Sequence, residues 1–112
     1  MKIKISGHHV EITEGIKQSI ENKFAKISKH YPTLMEIDSK ITVEPNQQKL
    51  EVTTLYEGAK VTVNASDKQL YKAIAKVTKK LQSALAHRKG QLSAKFHNKF
   101  VVQQTDLYQA TP

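Results

Sequence analysis

Residues 66–90 read SDKQLYKAIAKVTKKLQSALAHRKG, and the spacing of their apolar side chains sets the architecture. Leu70, Ile74, Val77, Leu81 and Leu85 recur at intervals of four, three, four and four. At about 100° per residue they fall along one side of an α-helix, a stripe that needs a second layer to bury it. Ser66 and Gln69 stand at N-cap and N3 of a capping box, so the helix is expected to start directly after Ser66. His87, Arg88 and Lys89 suit a last turn, where the helix dipole favours cations, and Gly90 suits the C′ position that ends it.

Strands lie upstream of this segment. Leu50–Glu57 and Lys60–Ala65 read as two strands joined at Gly58 as a hairpin. Leu50 and Val52 face one way, whereas Leu55 falls on the other side. Before them Ile37, Ser39, Ile41 and Val43 alternate with Asp38, Lys40, Thr42 and Glu44, and Pro45-Asn46-Gln47-Gln48 makes the turn. Near the N-terminus Ile3 and Ile5 alternate with Lys2, Lys4 and Ser6 until Gly7 ends the strand. Thr13 is a good helix N-cap, and Ile16, Ile20, Phe24, Ile27 and Tyr31 form an apolar stripe that Pro32 stops. The expected order is β-α-β-β-β-α. This is an α+β two-layer sandwich with two helices on one face of a four-stranded sheet, as in double-stranded-RNA-binding domains. Residues 1–90 form this single domain. Residues 91–112 read as a tail ordered only by contacts or, through Leu92, Phe96 and Phe100, as an extension of the second helix.

Composition narrows the functional classes. The chain has 112 residues and a formal net charge of +8, with hydrophobic residues at 38%. That is one core's worth of apolar material, without the long apolar run of a membrane span or signal peptide. Cysteine is absent, which excludes disulfides, thiolate metal sites and a cysteine nucleophile. A soluble, cytoplasmic protein is expected. Within the chain, residues 67–89 carry seven Lys/Arg against one Asp, whereas residues 36–66 carry three Lys against five acids. Charge gathered in one stretch points to a polyanionic partner.

Helical geometry places that charge. With Ile74 at 0°, Lys72, Lys76, Lys79, Lys80, Ser83 and His87 lie at about 160°, −160°, 140°, −120°, 180° and −140°, one outward band. Arg88 and Lys89 follow at its end. On the first helix, with Ile20 at 0°, Lys23, Lys26 and His30 lie at about −60°, −120° and −80°, a ridge along one flank. Helices lying side by side would merge ridge and band into a phosphate-binding surface. The candidate RNA-binding residues are therefore Lys23, Lys26, His30, Lys72, Lys76, Lys79, Lys80, His87, Arg88 and Lys89. Base-specific readout has little support: the third strand offers only Tyr56 as an aromatic, and no GxxG loop occurs. The adjacent His8 and His9 are expected to point to opposite sides of an extended segment, so no metal site is expected. Neither a catalytic constellation nor a cofactor motif is present, and no enzyme activity, small-molecule substrate or membrane partner is expected. A monomer in solution is anticipated.

Three stretches resemble the ribosome hibernation promoting factor and ribosome-associated inhibitor family. They are Ile5-Ser6-Gly7-His8-His9-Val10-Glu11-Ile12-Thr13, Lys23-Phe24-Ala25-Lys26-Ile27, and Ala65-Ser66-Asp67-Lys68-Gln69-Leu70-Tyr71-Lys72-Ala73-Ile74. The basic run Lys79-Lys80-Leu81 through Arg88 and Lys89 adds to them. The resemblance covers about residues 1–90. It implies the same fold, and binding on the small ribosomal subunit in the channel for messenger and transfer RNA. It also implies silencing of translation in stationary phase or stress, with the short promoting form pairing ribosomes into inactive dimers. RNA-contacting positions of the family carry over to Lys23, Lys26, Lys80 and His87, whereas Ser83 stands where a basic residue is expected. The alternatives are a generic shape-selective RNA-binding domain, and an inhibitor type that blocks translation without dimers.

Overall fold

A computed structural model describes residues 1–100, with side chains described through Gln91. The elements are β1 (Lys2–His8), α1 (Glu14–His30), β2 (Glu36–Glu44), β3 (Gln47–Tyr56), β4 (Ala59–Asp67) and α2 (Leu70–Phe100). The order is the one expected from the sequence. The sheet runs β1-β2-β3-β4, with β1 parallel to β2 and the other neighbours antiparallel. A parallel pair cannot be closed by a tight turn, and α1 supplies the crossover.

Both helices cover the same face of the sheet, as the stripes require. Ile16, Ile20, Phe24 and Ile27 of α1 meet Leu70, Ile74, Val77, Leu81 and Leu85 of α2 in one core with Ile37, Ile41, Leu50 and Val52. Leu55 points away from that core and is exposed, as its place in the strand alternation implies. The β3–β4 hairpin turns through Glu57 (φ 49°) and Gly58 (φ 79°), with Tyr56 paired to Ala59. Two successive left-handed residues match the right-handed twist of the strands, which is why glycine is at home there.

At α1 the Thr13 Oγ1 accepts the Ile16 N–H at 3.3 Å, satisfying one of the orphan donors of the first turn. The strand before it runs longer than expected, through Gly7 to His8. Gly7 is needed for a different reason: a Cβ there would sit 2.6 Å from the Val10 carbonyl oxygen. His9 has φ 61°, so the backbone reverses at this residue. Its ring therefore does not oppose that of His8, and the two centroids lie 4.0 Å apart. The expectation of opposite sides fails because it assumed an extended backbone through His9.

Other boundaries differ from the sequence expectation: Gln47 and Gln48, expected in the turn, already pair with Glu44 and Val43 at the start of β3. Ser66 lies in β4, paired with Lys49, so it is not the N-cap of α2. The helix begins at Leu70, with the Gln69 carbonyl accepting Ala73 N–H and the Asp67 carboxylate accepting Gln69 N–H at 3.0 Å. Strand pairing with β3 holds the chain extended through Asp67, and the first helical turn forms only after it. At the other end α2 passes through Gly90 without a break and reaches Phe100. Gly58 is the glycine with positive φ among the described residues, so Gly90 does not serve as a C′ residue. One glycine costs a helix about 1 kcal/mol, which the helix formers around it outweigh. Residues 101–112 of the tail lie outside the described residues.

Candidate nucleic-acid interface

The relative direction of the two helices decides whether ridge and band meet. At the start of α1, a Cβ on Gly15 would lie 3.2 Å from the Tyr71 hydroxyl, near the start of α2. At its end, His30 and Tyr31 share a groove with Gln82, Ser83, Ala86 and Lys89. The helices therefore lie side by side and run the same way, about one residue of α1 for each residue of α2. His30 sits on the flank of α1 that faces α2, and Lys23 and Lys26 share that flank by helical geometry. Lys72, Lys79 and His87 are exposed along the outer side of α2. The lysines among these, with Lys89, lie on the helical layer as one run of positive charge, and His30 and His87 stand within it.

Other expected residues are placed differently. Lys76 reaches back toward the sheet, its Nζ 2.9 Å from Asp67 Oδ2 and donating to the Ser66 carbonyl at 3.3 Å. Lys80 Nζ donates to the Asn64 carbonyl at 2.8 Å. Both stand at the border between the helical layer and β4, held at their tips rather than swinging free. Arg88 leaves the band altogether. It is half-buried, with Nη2 donating to the Glu57 carbonyl at 3.5 Å and Nε buried without a partner, beside the β3–β4 turn. About −40° from the Ile74 direction, position 88 lies next to the buried stripe, and the arginine is long enough to reach the turn.

Electrostatics separate the two faces of the domain. Asp67 is held below the usual carboxylate range, first by the Gln69 backbone N–H and then by Lys76. On the outer face of the sheet charges are paired locally, with Lys4 2.9 Å from Glu36 and Lys49 2.9 Å from Glu44. The Glu36 carboxyl is lowered and the Lys4 ammonium raised by that contact. Opposite signs side by side cancel at a distance, so the sheet presents no field of one sign. The helical layer does.

Three residues of the groove lie outside the basic pattern of the sequence, Tyr31, Gln82 and Ala86. By its spacing Tyr31 belongs to the buried stripe of the first helix. It is half-buried, its ring edge-on to Tyr56 with centroids 5.5 Å apart and an interplanar angle of 86°. Lys89 Nζ lies 5.9 Å from the Tyr31 centroid, a cation–π contact that ties the end of one helix to the other. The available signal was position: Tyr31 is the last member of the stripe, directly before Pro32, where a helix leaves the core. Among the described residues no group of three or more His, Asp or Glu converges as a metal site. No helix among them is long and apolar enough to cross a membrane.

A family model described as Sigma 54 modulation protein / S30EA ribosomal protein matches residues 3–93. The chain belongs to that family. Among its relatives, a protein of Azotobacter vinelandii named ribosome hibernation promoting factor is 32% identical over 89 residues, covering 80% of this chain and 83% of the relative. The Pseudomonas putida protein of the same name is 33% identical over 89 residues, covering 80% and 87%. Solved structures agree on the fold. One described as a ribosomal subunit interface protein from Coxiella burnetii superposes with a TM-score of 0.77 at 19% identity, covering 80% of this chain and 99% of that one. The N-terminal domain of Thermus thermophilus Protein Y gives 0.68 at 26% identity, covering 74% and 93%. The family match spans every element of the sheet and the basic part of α2.

Proposed function

We propose that this family member silences ribosomes by binding the small subunit in the channel for messenger and transfer RNA. The basic layer of α1 and α2 faces ribosomal RNA, and occupancy of the channel excludes the translation substrates. The observation that carries this is the meeting of the α1 ridge with the α2 band across two parallel helices. Lys23, Lys26, His30, Lys72, Lys79, His87 and Lys89 supply phosphate contacts, with Lys76 and Lys80 at the edge of the footprint. Such contacts read backbone shape more than sequence. The protein acts as a monomer in the bacterial cytoplasm under stress or in stationary phase. It works by binding rather than by chemistry, and the silenced ribosomes pair into inactive dimers. The names of the relatives support the same assignment.

The test is co-sedimentation with purified small ribosomal subunits across a salt series. Binding is expected at low salt with a steep loss as salt rises, since each neutralised phosphate contributes a slope of about −0.7 to −0.9. Lys26→Glu together with Lys80→Glu is expected to abolish binding while the thermal melt stays cooperative. Unchanged binding by that folded variant rules out the helical layer as the contact surface.

A further inference from the structure

Between the end of α1 and the facing side of α2, the surface is not flat. A cleft of about 420 Å³ opens there, lined by His30, Tyr31, Gln82, Ser83, Ala86 and Lys89. We propose that this cleft holds one base of single-stranded RNA, giving a surface that otherwise reads phosphates a point of base recognition. The proposal rests on the assignment of the helical layer as an RNA interface and names the part of RNA that this cleft takes.

Four features carry it. The small side chains of Ser83 and Ala86 leave the space, and Ser83 stands in the middle of the outward band where a lysine would fill it. The Tyr31 ring offers a fixed aromatic surface, because its edge contact with Tyr56 holds it in place. Nucleobases stack on such rings regardless of identity. The imidazole of His30, the amide of Gln82 and the hydroxyl of Ser83 line the cleft and carry donors and acceptors that a ligand can use. A glutamine amide presents a donor and an acceptor side by side, the pattern that matches a base edge. Finally, no carboxylate lines the cleft among the described residues, and Lys89 stands over the ring at 5.9 Å. An exposed cation–π contact is weaker than base stacking. An arriving base takes the ring, and the displaced ammonium pairs with that nucleotide's phosphate.

The test uses the full chain, isotope-labelled, titrated with two probes: an RNA trinucleotide and inorganic tripolyphosphate. The trinucleotide is expected to shift the Tyr31 ring resonances together with the amides of His30, Gln82 and Ser83. Tripolyphosphate is expected to shift the lysine band and leave the Tyr31 ring unmoved. Identical responses to both probes, or a trinucleotide that leaves the cleft unmoved, overturn the proposal. Ser83→Lys gives a second measurement on an exposed position, where the fold is not at risk. It adds a charge while filling the cleft, so trinucleotide affinity is expected to fall at least about fivefold while tripolyphosphate affinity rises. A rise for both means that the surface reads charge alone. Wild-type binding to small subunits, measured alongside, separates the two ideas. Subunit binding without a base response removes the cleft proposal only, and a base response without subunit binding removes the ribosome assignment only.

Discussion

Gly7 and Ser39 show how much a single position constrains this small core. The Val10 carbonyl lies so near Gly7 that an added methyl would be 2.6 Å from its oxygen, and 2.9 Å from the Ile12 Cδ1. Gly7→Ala is therefore expected to destabilise the fold by about 1–3 kcal/mol, seen as a lowered melting temperature, because the backbone oxygen cannot move aside. Ser39 presents the opposite case. It is fully buried on the inner face of β2, and its Oγ has no hydrogen-bond partner. An unpaired buried hydroxyl costs about 1–3 kcal/mol, and alanine occupies nearly the same volume. Ser39→Ala is expected to leave stability unchanged or raise it by up to about 1 kcal/mol in a denaturant titration. A clear loss would mean that the hydroxyl is satisfied after all. Such residues are invisible to pattern reading. Ser39 reads simply as a strand residue, and the neighbour that crowds Gly7 comes from the chain's return toward α1.

At the level of elements, whatever depends on local periodicity was legible. The α1 and α2 stripes, the alternation in β2 and the Glu57-Gly58 hairpin all follow from spacing within one segment. The boundaries were not, because the pairing of Ser66 with Lys49 is a contact between segments that a capping motif cannot anticipate. The candidate site divides in the same way. Helical angles placed Lys72, Lys79 and His87 outward correctly. They did not reveal that Lys76 and Lys80 turn toward β4, since that depends on which strand lies under α2. Gly90 offers a test of the longer helix. A Cβ there meets nothing within 4 Å, and the backbone is helical. Gly90→Ala is expected to stabilise the protein by about 0.5–1 kcal/mol and to increase helical circular dichroism. A left-handed residue at that position would respond with a loss.

For the whole molecule, acid is expected to act through its paired carboxylates. Asp67 and Glu36 titrate below their ordinary values of 3.8 and 4.5 in the folded state. Lowered folded values mean that the unfolded chain binds protons first as pH falls. Their contribution is thus complete above the ordinary values and disappears as pH drops through the folded ones. The melting temperature is expected to be flat from neutrality to about pH 5 and to fall below it. Asp67→Asn with Glu36→Gln is expected to flatten that fall, which melts over a pH series will check. The lysine tips at β4 have a consequence of another kind. Asn64 and Ser66 belong to the last strand of an open sheet, and their carbonyls already accept hydrogen bonds from Lys80 and Lys76. A strand from a neighbouring molecule finds these acceptors occupied and two ammonium groups in its path. The residues at the border of the basic helical layer thus also guard the sheet against edge-to-edge growth, keeping a cationic protein dispersed at high concentration.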